Sequence, residues 1–242
     1  MTTLLENREA LASDILQSLA RLQQLLPLKK RQQALPAPLR MVHRAILRGL
    51  AETGKPPRTA EIAAMLGSRQ SAVHALGTLR KNDLIILNSP VTVDETTHRT
   101  TAPENIEIVG AYPMTTENTP HKVEVGGHFV NAMCAVDALV ISPMFGRETR
   151  IESRCHATGA PIRIRQKEAE ILEANWPDIR VGIRWQTFST HAAHTLCTEM
   201  VFLKDAETAR KWRESDPGSI EIFTLAQAIE LGTAFFLPLL EE

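Results

Sequence analysis

Apolar residues recur three and four apart through the first third of this 242-residue chain, then give way after about Pro103 to short β-prone runs. That change of period limits the fold more than any other feature. Leu4, Leu5, Leu11, Ile15, Leu19, Leu22 and Leu26 form the stripe of an amphipathic helix, which needs a surface to cover it. Pro27, the Lys29-Lys30-Arg31 run and Pro36-Ala37-Pro38 punctuate the chain and end a first segment, residues 1–37. A second helical pattern spans Leu39 to Leu50 and is broken by Gly54 and Pro56-Pro57. Thr59 is expected to cap a short helix through Leu66, Gly67 to turn the chain, and Ser68 to cap a further helix through about Lys81. Leu84-Ile85-Ile86-Leu87 reads as a strand, with Val91-Thr92-Val93 as its hairpin partner, so residues 38–95 read as a winged-helix-like module.

Beyond it, Ile106–Val109, His121–Val125, Arg150–Ser153, Pro161–Arg165, Val181–Trp185 and Met200–Leu203 are short β-prone runs. Helices are expected near Ala132–Ile141, Ala206–Glu214 and Leu225–Leu231, too few to serve as crossovers of a parallel sheet. The expected fold class is α+β: an N-terminal helical, winged-helix-like module followed by a mainly antiparallel α+β domain over residues 100–242.

Charge is unevenly spread. Residues 1–90 hold 13 Lys/Arg against 6 Asp/Glu, and residues 91–242 hold 14 against 22. A basic front half with Arg69, Gln70, His74 and Arg80 on or near a recognition-type helix would suit DNA. The apolar residues Ala72, Val73, Ala75, Leu76 and Leu79 of the same helix suit docking on a neighbouring domain at least as well, and DNA is not the expected partner. The polar start is no signal peptide and no run reaches the length that crosses a bilayer, so a cytoplasmic protein without membrane association is expected.

Three cysteines, an odd number without a Cys-x-x-Cys pair, argue against a disulfide framework or a zinc ribbon and for reduced thiols. Cys134 and Asp137 stand three residues apart in Asn131-Ala-Met-Cys-Ala-Val-Asp-Ala-Leu139, which on a helix puts sulfur and carboxylate on one face. With Asn131 as the cap, Cys134 falls in the first turn, where the helix dipole favours a thiolate. Burial would push Asp137 toward its neutral, proton-donating form. Cys197, about sixty residues on at the entrance to a strand, would complete a site selective for a soft metal if the fold brought it near Cys134. Cys155 ends a strand at a turn, which favours a buried structural role. His156, His191 and His194 could extend a Cys/His zinc site, but the spacing of a second ligand is missing. Phosphate-loop, dinucleotide, His-Glu-x-x-His and Gly-x-Ser-x-Gly motifs are absent from the sequence.

The stretch from about Tyr112 to Trp212 resembles the catalytic domain of the organomercurial (alkylmercury) lyases. By that resemblance Cys134, Asp137 and Cys197 are the two catalytic cysteines and the catalytic aspartate, and Cys155, before Ala157-Thr-Gly-Ala-Pro161, is a buried structural cysteine. A winged-helix-like module ahead of the lyase domain also fits the family. The resemblance implies protonolysis of the carbon–mercury bond of R–Hg⁺ to give R–H and Hg(II), with the metal held by Cys134 and Cys197 and Asp137 nearby. It implies no organic cofactor, only solution thiols that deliver substrate and carry product away, and a mercuric reductase as the next acceptor. Two competing readings use the same cysteines without turnover: a DNA-binding winged-helix mercury sensor, and a non-catalytic soft-metal-binding relative. Asp137 separates them, because a sensor needs no proton donor beside its first thiol.

Overall fold

The computed structural model describes residues 2–94, 99–103, 105–186 and 195–241. Helix α1 (Thr2–Leu25) is followed by α2 (Leu28–Gln33), α3 (Ala37–Thr53), α4 (Thr59–Leu66) and α5 (Arg69–Lys81). Leu4, Leu5 and Leu11 of the expected stripe lie outside the residues whose side chains are described; from Ile15 on, the stripe finds its surface at the far end of the chain. Ile15 and Leu22 are buried, and the Ser18 hydroxyl donates to Glu221 Oε2 at 2.7 Å. Helix α2, absent from the sequence expectation, is only six residues long, too short to show a period. Gly54, at φ 70°, ends α3, and Ser68 caps α5 by accepting from the Ser71 amide. At α4 the cap position falls to Arg58, one residue before the expected Thr59, whose hydroxyl instead donates to the Ile106 carbonyl. Ala72, Val73, Ala75, Leu76 and Leu79 of α5 are buried, and α5 packs against α3 and α4.

The strands that follow are β1 (Ile86–Leu87), β2 (Thr92–Asp94), β3 (Arg99–Thr101), β4 (Ile108–Ala111), β5 (Met114–Thr115), β6 (His121–Val125) and β7 (His128–Ala132). Helix α6 (Ala135–Phe145) leads to β8 (Glu148–Arg154), β9 (Pro161–Lys167), β10 (Glu170–Ala174) and β11 (Arg180–Arg184). A 3-10 turn at Cys197–Glu199 enters β12 (Met200–Leu203), and α7 (Ala206–Glu214), β13 (Ile220–Thr224), α8 (Leu225–Phe236) and a last 3-10 turn complete the chain. Among the described residues, one antiparallel sheet of eight strands runs β1-β4-β5-β7-β6-β8-β9-β10, a second of three runs β12-β11-β13, and β2 pairs with β3. The hairpin expected between residues 84–87 and 91–93 does not form. Ile86 and Leu87 pair instead with Gly110 and Ile108, while Thr92–Asp94 pairs with Arg99–Thr101. A two-residue strand carries no alternation that could announce a partner twenty residues away.

The large sheet alternates buried and exposed residues along β8 and β9, so one face looks to the core. Helix α6 crosses that face and is buried on nearly every side, from Ala135 to Ser142, because α8 covers its back. The close approach needs Gly232 of α8: a Cβ there would lie 2.9 Å from Val136 Cγ1. Buried apolar residues from Ile15 to Leu239 form one contiguous cluster that includes both the amino-terminal helices and the sheet. Among the described residues, no helix is long and apolar enough to cross a membrane.

Candidate functional site

Cys134 lies between β7 and α6 and is itself the cap of the helix. Its backbone is extended, and its sulfur accepts from the Asp137 amide at 3.3 Å. The expected cap, Asn131, is instead a residue of β7, paired with Thr115 and Lys122. The helix is shifted by about one turn toward the carboxyl terminus, and the sulfur stands directly over the free amides of its first turn. Cys197 is brought in on the 3-10 turn that enters β12. Met200, at the start of that strand, accepts the Cys134 thiol on its own sulfur at 3.7 Å. The two cysteines and a carboxylate oxygen of Asp137 lie within 4.8 Å of one another, and they are the one such grouping of possible metal ligands among the described residues.

All three are buried: 0% exposed at Cys134, 1% at Asp137 and 4% at Cys197. Asp137 Oδ2 has no hydrogen-bond partner, an arrangement that costs free energy, more for a carboxylate than for a neutral acid, unless a ligand completes it. Burial raises the Asp137 carboxyl from 3.8 to about 8, against the smaller opposing pull of hydrogen bonds from Cys134 and Cys197. At neutral pH it therefore carries its proton, as its apolar setting in the sequence led us to expect.

The thiols correct a second expectation. Burial, reinforced by the hydrogen bond with Cys197 and the charge of Asp137, holds Cys134 well above the ordinary thiol value, and the Asp137 amide offsets this only in part. Cys197 is also raised: the Cys134 hydrogen bond pulls it down, but burial and the charges of Asp137 and Asp83 outweigh that. Desolvation thus defeats the helix-end effect. Two thiols and one carboxylic acid sit together fully protonated, and a soft metal that binds sulfur would release their protons.

Cys155 lies apart from this group. It is 1% exposed and closes a tight turn, its amide donating to Ala160 O at 2.7 Å and its carbonyl accepting from Gly159 N at 2.8 Å. His156 donates its amide to Phe202 O and sets its ring edge-on to Trp212. His191 and His194 lie outside the described residues. The sequence reading missed Met200, although a methionine three residues after a candidate cysteine was a visible soft neighbour. It also missed Asp83, although Asn82-Asp83 after a helical run has the composition of a left-handed helix end.

The MerB family model, described as alkylmercury lyase, matches residues 114–237. The alkylmercury lyase of Bacillus cereus is 32% identical over 114 residues, covering 47% of this chain and 52% of that protein. The alkylmercury lyase of Pseudomonas putida is 30% identical over 129 residues, 53% of this chain and 60% of that protein. The chain thus spans little more than half the length of these relatives. The crystal structure of the mercury-bound form of MerB2 superposes with a TM-score of 0.67 at 23% identity, covering 88% of this chain and 98% of that one, which establishes a shared fold.

Proposed function

The chain belongs to the alkylmercury lyase family, and on that premise we propose that it cleaves the carbon–mercury bond of organomercurials by protonolysis, with Cys134, Asp137 and Cys197 as its catalytic residues. The observation that carries this reading is a buried, protonated carboxylic acid grouped with two buried thiols, all within 4.8 Å. Two sulfurs alone would make a metal trap. The acid, neutral at pH 7 with one oxygen unpartnered, adds a proton donor where a leaving carbanion would form.

The proton count of the site sets the sequence of steps. Substrate arrives as the thiol adduct R–Hg–SR′. The Cys134 sulfur bonds mercury, the R′S–Hg bond breaks, and the Cys134 proton leaves with R′SH. Asp137 then gives its proton to the carbon as the Hg–C bond breaks, and recovers one from Cys197 as that sulfur takes its place on mercury. The balance is R–Hg–SR′ plus two thiols going to R–H, R′SH and Hg(II) held by two thiolates. Mercury ionises thiols that burial keeps protonated in its absence, because a coordinated thiol gives up its proton. Met200, in contact with Cys134, adds a polarisable wall without a charge to compete for the metal.

The reading needs no organic cofactor, only solution thiols to bring substrate and remove Hg(II). We propose a mercuric reductase as the acceptor of that product and the cytoplasm as the place of action. The test is incubation of the purified protein with phenylmercury and excess thiol. Benzene should appear with one Hg(II) per turnover. Retention of phenylmercury without benzene would leave a binding protein in place of a lyase.

A further inference from the structure

Asp83 holds φ 54° just past Asn82, the cap that ends α5, where the Asp83 and Leu84 amides donate to Arg80 O and Leu79 O. That pattern ends many helices with a glycine, which adopts positive φ without strain. Here an aspartate bears the strain, and its side chain is only 13% exposed. Its two oxygens reach in two directions: Oδ1 accepts from the Tyr112 hydroxyl at 3.1 Å, and Oδ2 pairs with Arg31 Nη1 at 3.4 Å.

Each partner leads somewhere. Arg31 belongs to α2, which is itself locked in place: Gln32 donates to Leu239 O at 2.8 Å and lies 2.9 Å from Nδ1 of the buried His43. Tyr112 is 1% exposed and precedes Pro113, whose carbonyl accepts from the Met133 amide at 3.3 Å. Met133 is the residue before Cys134. A strained, partly buried carboxylate thus joins the amino-terminal helices to the turn that presents the first thiol, and strain held at such a junction is a mark of function.

We propose that Asp83 is a positioning residue of the lyase site, fixing Tyr112 and, through Pro113 and Met133, the placement of the Cys134 sulfur, with Arg31 of α2 as its counterion. The inference rests on the lyase reading of the same site. The amino-terminal helices are therefore part of the working enzyme, because they supply the cation that keeps this carboxylate in place.

The experiment compares Asp83→Asn, Tyr112→Phe and the double variant in phenylmercury turnover under excess thiol, using the full chain. Each single variant should lower kcat about tenfold with KM little changed, the scale of a small misplacement of a reacting group. The double variant should be no slower than the slower single, because Asp83→Asn removes the charge held by Arg31 and Tyr112→Phe the hydroxyl, two parts of one linkage. Losses confined to melting temperature, with kcat per folded molecule intact, would overturn the proposal, as would full additivity. If the parent releases no benzene, the lyase reading fails. The thiolate–mercury absorption band with Hg(II) alone then decides the positioning role: a band displaced in Asp83→Asn supports it, and a band identical to the parent's overturns it.

Discussion

Cys134 and Cys155 are equally buried, at 0% and 1% exposure, but they sit in opposite kinds of surroundings. Around Cys155 the backbone bonds of a tight turn are complete, and its sulfur belongs to no cluster of possible ligands among the described residues. Around Cys134 stand a second thiol, a methionine sulfur and an acid with an unpartnered buried oxygen. Burial alone does not mark a working cysteine. What marks it is buried polar chemistry that the fold leaves incomplete and that a ligand of the right softness would complete.

The comparison breaks most sharply by exchanging sulfur for oxygen in each region. Cys134→Ser and Cys197→Ser should each leave a folded protein whose benzene release from phenylmercury falls by orders of magnitude, as when an activated nucleophile is removed. Near-normal turnover in either would end the two-sulfur account. A smaller effect is expected of Asp137 on stability. Its folded pKa of about 8 lies above 3.8, so folded and unfolded chains both hold the proton below pH 4, and stability is lost as pH rises toward 8. The buried His43 and His121, each lowered to about 4, act in the opposite sense between pH 4 and 6.5, and the site cysteines ionise only above their ordinary range. Between pH 6.5 and 8 the acid should therefore stand out, at no more than about 1.4 kcal/mol per pH unit. Denaturant titrations across that window should show the parent losing stability relative to Asp137→Asn; parallel curves would mean the carboxyl is not protonated at neutral pH. The smallest of these effects belongs to the other region. Cys155→Ser puts a hydroxyl in an apolar place and should cost about 1–3 kcal/mol in unfolding experiments, with turnover per folded molecule kept. A variant as stable as the parent that no longer bound mercury would mean that the two regions had been assigned the wrong way round.

The same contrast explains what could be read from the sequence. Elements set by local signals were legible: α7 spans Ala206–Glu214 as expected because Asp205 caps it through the Thr208 amide, and β6 and β12 match the β-prone runs that announced them. Cys134 and Asp137 could be paired from their spacing, since one helix turn carries both. The approach of Cys197 could not, because it depends on β12 pairing with β11 and on that sheet meeting α6. The protonation state of Cys134 was misread for a related reason. A helix end is visible in sequence, whereas the degree of burial that overrides it is a property of the packed sheet and α8. Asp83, Tyr112 and Arg31 come from three separate segments, so no local pattern joins them.

The account turns on Asp137 as the source of the proton that reaches carbon, and Asp137→Asn tests it because the amide keeps the shape and cannot donate a carboxyl proton. In a single turnover with phenylmercury, the variant should retain mercury on its two sulfurs while benzene release slows by about 10²–10⁴-fold, the usual range for loss of a general acid. Benzene released by the variant at the parental rate would contradict the account and place the proton donor elsewhere.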